Sequence, residues 1–245
     1  QKTWEYDKTY KCYLYNCDIA NGYFNVDVAI EVANDSFCEK NFTFRMEGYA
    51  KKYFDKYGKL KRTYEALIVF TKETKEEIEH LETIMTALDM AILEEDLAQI
   101  KEELIESGYI RRKGGKKKEK ITSKPYHFIS KDGFHMYVGK NNYQNEELTF
   151  KLAEGNDWWF HAKGIPGSHV IVKSGGKEMA DSTFEEAGRL AAHYSQGRGQ
   201  EKVEIDYTPK KNIKKTPGGK PGFVIYHTNY SLNIDSNIEG IQLVQ

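Results

Sequence analysis

Between Tyr53 and Ile92 one spacing dominates this chain. Tyr53, Tyr57, Leu60, Tyr64, Leu67, Thr71, Thr74, Ile78, Leu81, Met85, Leu88 and Ile92 follow one another at intervals of four and three in alternation. A period of 3.5 residues places them on one seam of a helix that supercoils left-handedly against another helix, and no proline interrupts the run. Thr71 and Thr74 weaken the seam at its middle. Residues 94–107, "EEDLAQIKEELIES", form a second, shorter amphipathic helix, with Gly108 at the position after the cap where a left-handed residue ends a helix. At 1.5 Å per residue the second helix spans about 21 Å against about 60 Å for the first, so it cannot cover the seam. The seam therefore demands a partner helix, either from a second chain or from sequence upstream of Gln1.

The flanking segments read differently. Within residues 1–47, "YKCYLYNCDI", "GYFNVDVAIEV" and "NFTFRM" carry strand signals, separated by the turns "IANG" and "ANDS". Residues 48–110 hold the two helices, and 111–123, within "RRKGGKKKEKITSKP", form a basic glycine-containing linker. Residues 124–245 read as a compact domain with two helices and a mainly antiparallel sheet. "YHFIS" and "FHMYVG" flank the hairpin turn "KDG", and "DWWFHA" and "HVIVK" flank "KGIPGS". "NEELTFKLAEG" is a short helix with Asn145 as its expected cap, and "DSTFEEAGRLAAHYSQG" is one with Ser182 as cap and Glu185 completing a capping box. "KVEIDYT" and "GFVIYHT" are strands joined by "PKKNIKKTPGGKP", and "YSLNID" closes the sheet. The fold class is α+β: a small β element, a long coiled-coil helix, then the compact domain.

Charge divides the chain. Residues 1–109 carry 14 Lys/Arg against 22 Asp/Glu, and residues 110–245 carry 22 against 15, so a net charge of −1 conceals an acidic first part and a basic second part. This asymmetry points to a nucleic-acid-facing second part. No apolar run reaches the ~20 residues of a membrane span and no signal peptide is visible, which fits a cytoplasmic protein. Cys12, Cys17 and Cys38 have no zinc spacing and read as free thiols, with a Cys12–Cys17 disulfide as the alternative in an oxidising compartment. There is no nucleophile elbow, no zinc-protease helix motif and no phosphate loop, so neither an enzyme, a cofactor nor a metal site is expected. His161 and His169 face each other across a hairpin as a structural pair rather than as metal ligands.

The residue types favour binding. Lys140, Asn141, Asn142, Gln144 and Asn145 form a string of donors and acceptors suited either to base edges or to capping the next helix. Lys210, Lys211, Lys214 and Lys215 surround one turn, with Lys220 beside it, and suit phosphate as point charges. In a strand, Trp158 and Phe160 point one way and Trp159 and His161 the other, so an exposed Trp159–His161 edge is a platform for a stacked base.

The order of these motifs, "DGFHMYVGKNNYQNEELTFKLAEGNDWWFHAKGIPGSHVIVK", "EEAGRLAAHYSQGR" and "VEIDYTPKKNIKKTPGGKPGFVIY", resembles the NFACT-R domain of the RqcH/fibronectin-binding protein A family over about residues 124–235. "YAKKYFDKYGKLKRTYEA" and the segment from "EEIEHLETIM" to "GYIRR" resemble the second arm of that family's middle coiled coil. The resemblance implies a recruiter that binds stalled large ribosomal subunits and brings tRNA for C-terminal tailing of nascent chains, with peptide-bond chemistry left to the ribosome. The family's N-terminal domain and helix-hairpin-helix segment are expected upstream of this sequence. Asp157, Trp159, His161, Pro166, Gly167, Ser168 and His169 match the family's signature hairpin, which is either a fastening or an RNA-facing surface. Two alternatives stand beside this reading: a fibronectin- or fibrinogen-binding adhesin, and a protein-interaction scaffold acting through the coiled coil.

Overall fold

A computed structural model describes residues 5–7, 12–20, 23–32, 36–45, 49–112, 114 and 121–244, with side-chain environments from residue 55 onward. The chain divides into two compact units, residues 1–73 and 74–245.

In the first unit, β1 (Glu5–Asp7), β2 (Cys12–Ala20), β3 (Tyr23–Val32) and β4 (Ser36–Arg45) form an antiparallel meander in sequence order. The strand signals of the sequence therefore hold, with a register irregularity between Tyr15 and Cys17. The state of the three thiols lies outside the described side chains. Helix α1 (Tyr49–Met90) starts in this unit and ends in the second.

The expected seam is uncovered wherever its side chains are described, from Tyr57 on. Tyr57, Leu60, Tyr64, Leu67, Ile78, Leu81, Met85, Leu88 and Ile92 are all exposed. Within the second unit it is a different face of α1 that is buried. Ile84 and Ala87 pack against Ile100 of α2 (Glu94–Glu106), with Ala91, Leu104 and Tyr109 around them. Helix α2 ends as the sequence requires: Gly108 takes φ +81°, its N–H donates to Ile105 O and the Tyr109 N–H donates to Leu104 O.

The rest of the second unit is a seven-stranded antiparallel sheet in the order β12-β9-β7-β8-β6-β5-β13. Its strands are β5 (Tyr126–Ile129), β6 (His135–Val138), β7 (Trp158–Ala162), β8 (Val170–Val172), β9 (Val203–Pro209), β12 (Tyr230–Ile234) and β13 (Gln242–Leu243). The β5–β6 turn closes as expected, with the Gly133 N–H donating to Ser130 O at φ +83°. Against one face lies α4 (Asp181–His193), whose Ala187, Leu190, Ala191 and Ala192 pack onto Phe128, Met136, Val138, Phe160 and Val170. Against the other lie α3 (Asn142–Glu147), a π-helical continuation over Leu148–Leu152, and a separate ribbon of β10 (Ile213–Lys215) and β11 (Val224–Tyr226). Leu148, Ala153 and Ile213 there enclose Trp159 and Ile171. Covered on both faces, β8 reads as an unbroken apolar run, as a sheet with two buried faces requires.

Three details depart from the sequence reading. "GFVIYHT" pairs with β10 in the ribbon and not with β9 in the sheet. Helix α3 is capped by Asn141, whose side chain accepts from the Gln144 N–H at 3.0 Å, one turn before the expected Asn145. Helix α4 begins two residues earlier, after Ala180, and Ser182 and Thr183 turn their hydroxyls to Asp132 Oδ2 at 2.6 and 2.7 Å. Residues 113 and 115–120 of the basic linker lie outside the described residues. The segment is tied at both ends, by Arg112 on Glu102 and by Ser123 on Asp96.

Candidate nucleic-acid interface

The string from Lys140 to Asn145 turns inward. Lys140 Nζ lies 3.1 and 3.4 Å from the two carboxylate oxygens of Asp96 on α2 and 4.3 Å from the Tyr126 ring. Asn141 donates to Gln99 Oε1 at 2.8 Å, and Asn142 donates to Thr83 Oγ1 and Glu103 Oε1 at 2.8 and 2.7 Å. Gln144 donates to Gln99 and to Ser123 Oγ. His80, fully buried on α1, lies 3.1 Å from Glu103 and 3.2 Å from the Tyr109 hydroxyl. Asp96 is pushed up by burial, yet the hydrogen bonds from Ser123 and Lys140 and the lysine's charge outweigh that and hold its carboxyl below the usual range. The side chains of Lys140, Asn141, Asn142, Gln144 and Asn145 are all buried. This corrects the expectation that they form an exposed reading surface: their hydrogen-bonding capacity is spent on α1, α2 and the signature loop. Polar groups in such a site must be paired, and the acidic and amide residues of the helices supply the partners.

Asn145 does the corresponding work on the signature hairpin. Its Nδ2 donates to Gly167 O at 3.3 Å and its Oδ1 accepts from the His169 N–H at 2.9 Å. Gly139 leaves room for it, since a Cβ there would overlap Asn145 Oδ1. Asp157, fully buried, accepts from Lys173 Nζ at 2.5 Å and from the Glu154 and Gly175 N–H groups at 2.8 and 3.1 Å. Burial raises its carboxyl, and these donors more than reverse the effect. Trp159 has no exposed surface, which corrects the stacking platform: both faces of β7 are core, Phe160 toward α4 and Trp159 toward the ribbon. Ser168 is buried as well, and its Oγ has no hydrogen-bond partner among the described residues.

His161 lies nearly parallel to Trp159, with centroids 5.6 Å apart, and meets His169 edge-on at 5.4 Å. Burial lowers the His161 imidazole to about 4, against carbonyl contacts at Gly167 and Ala162 that oppose the shift. His169 is lowered further by burial and by its neighbour His161. Its Nδ1 lies 2.8 Å from the Thr149 hydroxyl and 3.2 Å from the Asn145 carbonyl. Both rings are therefore neutral near pH 7. They face each other as the sequence implied, and no cluster of three or more metal-ligating side chains occurs among the described residues.

The lysines around the ribbon are presented outward. Lys211, Lys214, Lys215 and Lys220 are exposed and Lys210 is half-buried. The Lys210 and Lys211 N–H groups donate to Asp157 O and Gly155 O, which fixes the start of the ribbon to the signature strand. Lys215 pairs with Glu146 at 2.7 Å, and Lys220 Nζ stands 5.8 Å from the Tyr109 ring. What remains is a basic ribbon whose start is hydrogen-bonded to the signature strand and the turn before it.

Residues 124–227 match the NFACT protein RNA binding domain and residues 43–123 match the NFACT N-terminal and middle domains. The chain belongs to the RqcH/NFACT family. It is 45% identical over 185 residues to Rqc2 homolog RqcH of Streptococcus pneumoniae, covering 76% of this chain and 33% of that protein. Against Rqc2 homolog RqcH of Bacillus subtilis the identity is 36% over 197 residues, covering 78% of this chain and 34% of that protein. The chain thus spans about a third of the length of these relatives. Among solved structures, the C-terminal part of the fibronectin/fibrinogen-binding protein from Streptococcus suis superposes with a TM-score of 0.72 at 41% identity, covering 79% of this chain and 78% of that one. No helix among the described residues is long and apolar enough to cross a membrane.

Proposed function

We propose that this chain is the RNA- and ribosome-binding part of a cytoplasmic ribosome quality-control factor. Within the longer protein it recruits tRNA to stalled large subunits for tailing of the nascent chain, acting by binding and leaving the bond chemistry to the ribosome. The observation that carries this reading is the set of lysines 210, 211, 214, 215 and 220, gathered on one anchored ribbon of a domain that matches an RNA-binding family. Flexible ammonium groups on a stiff support neutralise phosphates without reading sequence, the property a factor needs when it grips RNA by its backbone. The exposed apolar seam of α1 is the docking face for the partner helix that its period calls for.

The test is fluorescence anisotropy with labelled tRNA at two salt concentrations. Binding should weaken steeply with salt, and changing Lys210, Lys211, Lys214 and Lys215 together to Ala should flatten the log–log slope by up to about four while the domain stays folded. An unchanged slope removes these lysines from the interface. A second reading, adhesion, is favoured by the name of the Streptococcus suis structural neighbour. Labelled fibronectin in the same titration separates the two: saturable fibronectin binding without tRNA binding would favour the adhesin.

A further inference from the structure

Beside the ribbon a cleft of about 320 Å³ opens within the second unit, a size that admits a small planar ligand. One wall is Phe223, Val224 and Tyr226 of the ribbon strand and its approach, and the back is His161 lying on Trp159. Glu79 and Glu82 of α1 and Asn142 complete the lining. Glu79, Glu82 and Asn142 leave acceptors at these walls, and the Trp159 Nε1–H behind them is buried without a partner among the described residues. Asn142 spends its amide N–H groups on Thr83 and Glu103, leaving Oδ1 as an acceptor. Glu79 and Glu82 are exposed carboxylates with no ion pair among the described residues. Among the described residues no lysine or arginine lines the cleft, which disfavours phosphate as its ligand. Lysines flank it instead: Lys220 precedes Gly222 by two residues, and Lys214 is paired in register with Ile225 of the ribbon.

Aromatic walls, acceptors at the polar positions and cations just outside fit one ligand. We propose that the cleft takes an unstacked nucleobase bearing an exocyclic amino group, from a single-stranded RNA whose phosphates lie on the ribbon lysines. Single-stranded RNA is read in this manner: the base is splayed out, stacked on flat side chains and hydrogen-bonded at its edge. An amino group donates to the acceptors of the cleft, whereas the 4-oxo group of uracil meets carboxylates that cannot donate to it. The proposal rests on the RNA-binding reading and adds to it a preference among bases.

The experiment compares labelled eight-nucleotide cytidine and uridine oligomers, which stack weakly in themselves and differ at position 4, amino against oxo, and at N3, acceptor against N–H donor. Anisotropy titrations of the full chain at low salt should show cytidine bound about tenfold more tightly than uridine, as one good base-edge contact gives. The double variant Glu79→Met, Glu82→Met, both exposed helix positions, should bring that ratio close to one without weakening uridine binding, because it removes two negative charges beside the RNA. Equal binding of the two oligomers by the unmodified chain, with lysine-dependent salt sensitivity intact, would overturn the cleft proposal and leave the RNA reading standing. If neither oligomer binds, both fall. A ratio unchanged in the double variant removes the carboxylates from recognition and overturns the proposal as stated. Displacement of the oligomer by an arginine-containing peptide but not by cytidine monophosphate would assign the cleft to a cationic side chain and likewise overturn it.

Discussion

The buried ion pair between Lys140 and Asp96 makes a quantitative claim about what residues 138–145 are for. Lys140 is 9% exposed and Asp96 1%, and the ammonium touches both carboxylate oxygens, one of which also accepts from Ser123 at 2.6 Å. Changing Asp96 to Asn keeps the shape and removes the charge, leaving an ammonium in a site closed by α2. Breaking a buried pair from one side costs about 3–5 kcal/mol, far above the ~0–1 kcal/mol of an exposed pair. The compensating double variant, Asp96→Leu with Lys140→Met, replaces both charges by apolar groups and should recover most of that loss. Urea unfolding followed by tryptophan fluorescence reports on the second unit through Trp158 and Trp159. Asp96→Asn should lower the midpoint by about 1–5 M at the slope of ~1–3 kcal/mol/M typical of small domains. A loss below 1 kcal/mol in the single variant, or a double variant no better than the single, would refute the view that this string fastens helix to sheet. In that case Lys140 would return as a candidate for contact with RNA.

Three further outcomes follow from the same structure. Trp159→Ala should cost about 3–5 kcal/mol of stability, read by the same unfolding curves, since the side chain is wholly enclosed by Leu148, Ile171 and Ile213; a small loss with weakened RNA binding would restore the stacking platform. His161 and His169 have depressed values in the folded state, so the unfolded chain binds more protons below the ordinary histidine value of 6.5. Their stabilising contribution is complete above that value and is lost as pH falls toward about 4, at up to ~1.4 kcal/mol per pH unit for each ring. Unfolding midpoints measured from pH 7 to 5 should fall less in His161→Gln than in the unmodified chain, and parallel curves would contradict the burial argument. Gly108→Ala places a Cβ at φ +81° and should cost about 1 kcal/mol through the end of α2, measurable as a shift of the same midpoint.

Periodicity and turn chemistry are local, and the sequence carried them well. The 3.5-residue spacing gave α1 its length and its apolar stripe, Gly108 gave the end of α2, and "KDG" gave the β5–β6 hairpin, because each depends on residues within a turn or two of one another. The alternation in "DWWFHA" correctly separated Trp159 from Phe160, yet it could not say that both faces would be covered. That depended on α4 arriving on one side and the β10–β11 ribbon on the other, more than twenty residues away in the chain. The polar string at 140–145 shows the same limit more sharply. Lys, Asn and Gln in a row look like a surface to any argument from residue type, and the partners that bury them, Thr83, Asp96, Gln99 and Glu103, lie about forty to sixty residues upstream on helices that themselves look solvated. Hydrogen-bond partners chosen across such a distance leave no period in the sequence. The sequence by itself determined the elements, the apolar seam and the basic loop. Only the tertiary structure decided which polar residues became mortar and which stayed exposed, because burial is a property of what packs against a residue and not of the residue.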